Sequence, residues 1–488
     1  MTKTRIHFFS IRIVICFVSF FSCISEQKVT NDQNSLKSET VSSIIEILMV
    51  EDFDYQGPSD QKWISSGIKN TLASNLLRLS ADLQIDVKTN QDLIEAMKMA
   101  AEKRKSGINI NLNEEVRALI GADLVCNGKI TITSNQISAK INILRPKEKK
   151  NIASINISNS RDKLFELQDE LLLKLIYSYK KTASIDNKLE NINKLNSKNL
   201  KAIEYFTKGM EFTEHKPKEA IAFFSKTLEQ DENYVDALIE IGHNFIFLKD
   251  YKTALGYLNK AEKILIDTNN QRTPEFARLL LNLGNINGNL YKDGSYYEKS
   301  LALYNSLGLG KTKAYLKMLI NLSQAFVDGS YLNRASDLIE ELNLTNTIIH
   351  ADLYEAYASG YIVDKKYDLA IEYYQKALSV YEKNGYKNSY KYSWFEFNIG
   401  AAYFQEKKDY HNGLNYLQKS ITTLKKIDMY HSESVAETLY WIGFCYRKSG
   451  NNLKAKESFL EAKRILESLD LRQSSTYSDV KNKLLDLE

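Results

Sequence analysis

The stretch IGHNFIFLKDYKTALGYLNKA at residues 241–261 decides the fold of this 488-residue chain. The pattern in it starts with a small residue, Gly242, and continues at distances of 3, 12, 16 and 19 residues with an aromatic, a second small residue, a leucine and a third small residue. Repetition at a fixed spacing is typical of one structural unit copied several times. Four close copies of the pattern start at Gly242, Ser323, Ala358 and Gly443.

The spacing predicts two helices per copy. A small residue is needed where the helices cross, because a larger side chain would push them apart, and the aromatic three residues later lies on the same helix face. The second small residue, twelve positions on, falls at the contact point of the second helix. Looser copies start at Gly209, Gly284 and Gly400, so successive starts are 33, 42, 39, 35, 42 and 43 residues apart. We therefore expect about seven helix pairs over residues 199–473 and a capping helix over 474–488.

This pattern resembles the tetratricopeptide repeat, in which neighbouring helix pairs stack into a right-handed α-solenoid. The resemblance implies a concave groove lined by the first helix of each pair, and a protein partner bound there. Carried onto the last copies, it predicts a groove lined by Trp394, Phe397, Phe404, Tyr440, Phe444 and Arg447. Aromatic residues and arginine at one surface are typical of interface hot spots. Residues three before each small residue include no lysine, which argues against the lysine clamp that some relatives use for carboxyl-terminal peptides.

The start of the chain predicts export. Lys3, Arg5 and Arg12 precede an apolar run over 13–21, which is too short to span a bilayer and suits a signal peptide over 1–22. Phe20-Phe21-Ser22-Cys23 resembles a bacterial lipobox, in which the cysteine is acylated after cleavage. The resemblance implies a lipid on Cys23, a flexible tether over 23–40, and a location on the outer membrane or the periplasmic face.

Residues 41–182 predict a small α/β module, joined to the repeats by a linker over 183–198. Apolar runs at 44–50 and 85–87 and alternating segments within 124–157 indicate strands, and helices are expected over 64–79, 90–103 and 164–179. The order of elements, with Lys62–Ile68, Leu119–Asp123 and Leu164–Glu170, resembles the amino-terminal module of TolB. This resemblance implies a non-catalytic module that makes protein contacts. The whole chain is thus expected to be α+β and mostly α, a small α/β module followed by an α-solenoid.

Composition and motifs argue against several other functions. With 65 basic and 61 acidic residues the net charge is +4, so bulk electrostatic binding of nucleic acid is not indicated. Gly308–Thr312 is similar to the end of a phosphate-binding loop, but Asn305 occupies a required glycine position. The six histidines have no partner at metal-ligand spacing. We expect no catalytic site, no cofactor and no metal.

The sequence therefore favours a non-enzymatic, membrane-anchored lipoprotein of the bacterial cell envelope that scaffolds protein–protein contacts through its groove and its α/β module. The expected partners are envelope proteins. An alternative left open is a receptor or sensor for a small molecule or glycan in an aromatic-lined groove.

Overall fold

The computed structural model describes residues 45–179, 186–212, 216–291, 294–326, 329–405 and 408–487. These residues divide into two compact units, here called the N-terminal unit (45–95 with 116–318) and the C-terminal unit (96–115 with 319–487). The predicted lipidation site, Cys23, lies outside the described residues.

The N-terminal unit contains one mixed sheet with the strand order β3-β1-β4-β5-β6, and β2 pairs with β4. The pairs β1–β3, β1–β4 and β2–β4 are parallel, whereas β4–β5 and β5–β6 are antiparallel. The strands are β1 (Glu46–Val50), β2 (Asp54–Gln56), β3 (Ile85–Val87), β4 (Leu124–Ile132), β5 (Gln136–Arg145) and β6 (Lys150–Ser160).

Four helices accompany the sheet: α1 (Lys62–Leu83), α2 (Asn90–Lys105), α3 (Leu112–Ile120) and α4 (Leu164–Tyr179). The apolar stripe of α1 shares one core with β1, β4, β5 and α4. The short strand β2 carries no alternating apolar pattern, so the sequence did not predict it. Helix α5 (Asp186–Asn193) lies in the stretch assigned to a linker and buries Leu189 and Ile192.

Seven consecutive helix pairs follow among the described residues, and a last helix ends them. This confirms the predicted fold class, a mostly helical chain with a small N-terminal sheet module before a solenoid of helix pairs. The N-terminal unit holds α6/α7 (Leu200–Phe212, Pro217–Gln230), α8/α9 (Val235–Phe247, Tyr251–Asp267) and α10/α11 (Pro274–Tyr291, Ser295–Ser306). Helix α12 (Lys313–Phe326) starts there, and the C-terminal unit continues with α13 (Gly329–Glu341), α14/α15 (Ile348–Val363, Tyr367–Lys383), α16/α17 (Tyr390–Gln405, Tyr410–Lys426), α18/α19 (Glu433–Lys448, Asn452–Ser468) and α20 (Ser475–Leu485).

The small residues of the repeated pattern lie at the crossing of each pair. A Cβ atom placed on Gly242 would come within 2.6 Å of the Leu258 side chain, and one on Gly443 within 2.5 Å of Phe459. Real Cβ atoms do not approach other atoms so closely, so the crossings at Gly242 and Gly443 require glycine. The spacing from the small residue to the apolar residue sixteen positions later thus reflects direct contact.

Candidate functional site

The predicted groove residues come from α16 and α18, the first helices of the last two pairs. Their spacing of three or four residues places them on one face of each helix. Trp394, Phe404, Tyr440 and Phe444 are partly buried, whereas Phe397 is only 5% exposed. All five belong to one apolar cluster, in which Phe397 forms part of the core and the other four pack against it.

Ring contacts join these residues into two groups within that cluster. Trp394 stacks on Phe397 with ring centroids 5.7 Å apart. Phe444 meets Tyr440 edge-on at 4.9 Å and lies 6.1 Å from Phe404. We call the four partly exposed rings, Trp394, Phe404, Tyr440 and Phe444, the aromatic patch.

Trp441 belongs to the same cluster, and the sequence reasoning missed it. Its ring lies 5.5 Å from Phe404 and 6.1 Å from Phe444. It occurs two residues before Gly443, outside the positions that the repeat pattern assigns to the groove. Its indole Nε1 is buried and has no hydrogen-bond acceptor within the described part of the chain. The run of aromatic residues Tyr440-Trp441 was the available signal.

The last helix bounds one end of the patch. Arg447 Nη1 lies 3.3 Å from Asp486 Oδ2, so the predicted groove arginine is paired within the chain. Lys483 Nζ lies 5.8 Å from the centre of the Phe444 ring. The aromatic rings, rather than Arg447, are therefore the part of the predicted site that a partner would meet.

Glu437 stands beside the patch without a charge partner. It lines a small pocket with Trp394, Phe397 and Tyr390. It makes no hydrogen bond or ion pair to any other described residue. Burial, and to a lesser degree the neighbouring Glu433, raise the pKa of Glu437 to about 7.

The carboxylate of Glu355 is placed differently. It accepts a hydrogen bond from the indole Nε1 of Trp394 at 3.2 Å and pairs with Lys391 Nζ at 2.7 Å. Glu355 therefore has both a hydrogen-bond donor and a cation, whereas Glu437 has neither among the described residues.

In the N-terminal unit, helix α1 of the sheet module lies against the first helices of the repeats. Gly67 permits this approach, since a Cβ atom there would fall 2.9 Å from Ile203 of α6. Trp63 of α1 packs against the apolar cluster of α6, α7 and α8. The face that would line a groove in these pairs is therefore occupied by the chain itself.

Arg78 fixes α1 in that position. Its guanidinium is 2% exposed and makes a bidentate pair with Glu275, with Nε–Oε2 at 2.7 Å and Nη2–Oε1 at 3.0 Å. Nη2 also donates to Asp236 Oδ1 at 2.8 Å, and Asp236 Oδ2 accepts from Ser74 Oγ at 2.9 Å. Burial opposes the charge of Arg78, but the two carboxylates hold its pKa above the usual value. A cavity of about 100 Å³ remains beside the network, which is too small for a peptide.

Other residues that the sequence singled out have structural surroundings. Gly308–Thr312 joins two helices instead of following a strand, and Thr312 Oγ1 accepts from the Tyr315 N–H at the start of α12. Burial, helped by Arg278, lowers the pKa of His243 to about 4, so its imidazole is neutral. Cys126 and Cys445 are buried free thiols, and burial raises the pKa of each to about 12.

Within the described ranges, no cluster of three or more histidine, cysteine or acidic side chains could hold a metal ion. No helix in the same ranges combines the length and the apolar character needed to cross a bilayer.

Comparisons with known proteins bear on the repeats. Residues 351–384 and 436–465, which cover α14/α15 and α18/α19, match the tetratricopeptide repeat family. No curated protein matches the sequence significantly.

Solved structures with a similar fold share little sequence with this chain. Aspartyl phosphate phosphatase F from Bacillus subtilis is 15% identical over 80% of this chain and 96% of that chain, with a TM-score of 0.42. A Rap protein solved with competence and sporulation factor is 12% identical over 81% and 96%, with a TM-score of 0.33. The TPR2AB domain of yeast Sti1, in complex with pHSP90, is 13% identical over 57% and 98%, with a TM-score of 0.22. The family match, the helix pairs and their glycine crossings together show that this chain carries tetratricopeptide repeats.

Proposed function

We propose that this chain is a non-enzymatic scaffold that binds a protein partner through the groove of its last helix pairs, while a lipid on Cys23 holds it at a membrane of the bacterial cell envelope. The observation that carries the first part is the aromatic patch on α16 and α18. The second part rests on the basic, apolar and cysteine-containing leader, and the outer membrane is the favoured location.

The two grooves of the solenoid differ in what covers them. In the N-terminal unit, α1 already fills the groove face and is fixed there by a buried ion pair. In the C-terminal unit, four large rings that pack against one apolar cluster stay partly exposed. Aromatic side chains that lie together at a surface supply most of the binding energy in many protein interfaces. The C-terminal groove is therefore the surface to which we assign the partner.

The patch is tested by removing two of its rings. We expect the pair of changes Trp394→Ala and Phe444→Ala to reduce recovery of a crosslinked partner from envelope membranes by at least about tenfold, because each buried ring contributes about 1.5–3 kcal/mol. Quantitative mass spectrometry of the captured proteins makes the comparison.

The matched control is Tyr416→Ala. Tyr416 is a partly buried aromatic residue of α17 that stacks on Tyr403, outside the patch. This variant should capture the partner as well as the unchanged chain does. Equal losses in the two variants, or no loss in either, would contradict the assignment, provided that thermal unfolding shows all the proteins to be folded.

A further inference from the structure

The N-terminal unit shows how this solenoid holds a helix. Asp236, on the first turn of α8, lies six residues before Gly242 and receives Arg78 of α1. Glu275 lies on the first turn of α10, the first helix of the next pair, and accepts two hydrogen bonds from the Arg78 guanidinium. The bound helix thus contributes one buried arginine, and the repeats contribute acids from the first turns of their groove-lining helices.

The same repeat position is acidic in the last pair. Glu437 lies six residues before Gly443, as Asp236 lies six before Gly242. Glu437, however, has no cation and no hydrogen-bond donor among the described residues. Glu437 is half-buried beside the rings, and a bound cation would give its carboxylate the partner that Asp236 has in Arg78.

The surroundings of Glu437 favour a guanidinium. Trp394, whose ring is partly exposed, lines the same small pocket, and arginine stacks on aromatic faces while it forms hydrogen bonds in the plane of its fork. Trp441 adds a second unsatisfied group to the cluster, because its buried Nε1 has no acceptor in the described residues.

We propose that the C-terminal groove takes an amphipathic helix of a partner protein, whose apolar face covers the aromatic patch and whose arginine pairs with Glu437. This inference rests on the proposed function and adds the chemistry of the partner. Charge complementarity identifies the occupant. Asp236 pairs with Arg78 of α1 in the filled groove, whereas Glu437, at the same repeat position of the open groove, has no cation among the described residues.

The experiment uses a displayed library of helical peptides, selected on the full chain with Cys23→Ser to avoid acylation. We expect the tightest binders to share one arginine flanked by apolar residues. Their affinity should fall at least about tenfold with Glu437→Gln, since removing one partner of a buried ion pair is costly. The control Glu433→Gln changes the exposed acid one turn earlier and should weaken binding by less than about threefold.

Several outcomes would overturn the inference. The selected binders could share a lysine in place of arginine, or carry no common basic residue. They could also bind the Glu437→Gln variant as tightly as the unchanged chain. Each of these results would contradict the pairing of an arginine with Glu437. If such binders still lose affinity with Phe444→Ala, the proposed function stands and only the arginine claim fails. If no selected peptide responds to Phe444→Ala, the groove itself is not the binding surface.

Discussion

At Arg78, a guanidinium is buried with oxygen acceptors on every side. Asn75 and Asn196 supply further acceptors, at 3.2 and 3.5 Å from Nη1. A buried pair of this kind contributes little net stability compared with apolar residues of the same shape, yet breaking it by removing one partner is costly. The reason is that the remaining carboxylates, Asp236 and Glu275, would be left buried without a cation.

We therefore predict that Arg78→Met lowers the free energy of unfolding by about 3–5 kcal/mol. Chemical denaturation, followed by circular dichroism, measures the change. Arg464→Gln is the control, because Arg464 is exposed and, in the described part of the chain, pairs with Glu461 on its own helix; it should cost no more than about 0.5 kcal/mol. Similar effects of the two changes would show that the buried network does not fix α1.

The raised pKa of Glu437 leads us to expect that stability depends on pH. Its pKa is raised from 4.5 to about 7 in the folded chain, so the folded state binds this proton more tightly than the unfolded state. The groups that face it are Glu433 on its own helix and Tyr390 of α16, which lines the same pocket. Stability that is present below about pH 4.5 should thus be lost as the pH rises through 7.

Glu437→Gln should remove this loss. We expect the variant to unfold at the same denaturant concentration as the unchanged chain at pH 4.5, and to be more stable by roughly 1–3 kcal/mol at pH 8. Denaturation at several pH values tests this, with the exposed Glu457→Gln as control. A pH profile that is the same with and without the carboxyl group would contradict the burial of an unpaired charge.

At the scale of elements, the repeated spacing predicted the helix pairs because each pair is held by contacts within about twenty residues of sequence. Gly443 and Phe459, sixteen positions apart, are one such contact. The position of α1 could not be predicted in the same way. Arg78 is 158 and 197 residues from its carboxylate partners, and no local pattern records contacts at that distance.

The candidate site was predictable to a similar degree. The offsets from Gly400 and Gly443 named Phe404, Tyr440 and Phe444, whose rings lie in contact in the structure. They did not show that Phe397 is buried, that Arg447 is paired with Asp486, or that Trp441 joins the cluster. Those three facts depend on how α20 and the neighbouring helices pack, which repeat spacing alone does not contain.

The helix crossings give an element-scale prediction. Gly443→Ala should lower the free energy of unfolding by about 1–3 kcal/mol, because the new Cβ would collide with Phe459, although alanine favours helices. Gly360→Ala in α14 meets no atom within 4 Å and should raise stability by about 0.5–1 kcal/mol. Equilibrium unfolding compares them, and opposite signs are the expected result. A Gly443→Ala protein as stable as the parent would mean that the crossing tolerates a side chain.

At the scale of the whole molecule, the leader sequence makes the prediction that is simplest to check. Cys23→Ser should move the chain from the membrane fraction to the soluble fraction, because the acyl chains supply the stable attachment. Fractionation and immunoblotting follow the change. Ser22→Thr, which keeps the cysteine, is the control and should stay with membranes. Retention of the Cys23→Ser variant would show that the lipid is not the anchor.

Residues 96–115 belong to the C-terminal unit, and this affects when that unit can complete its folding. This unit includes residues 96–115, whose Lys103 Nζ donates to the carbonyl of Asn384, 281 residues later, and whose Glu115 accepts from the Tyr386 hydroxyl. Synthesis starts at the amino terminus, so residues 96–115 are made early. They cannot form these contacts until the fifth helix pair has been made. Contacts across such distances slow folding, so we expect residues 96–115 to dock only after the fifth helix pair has formed.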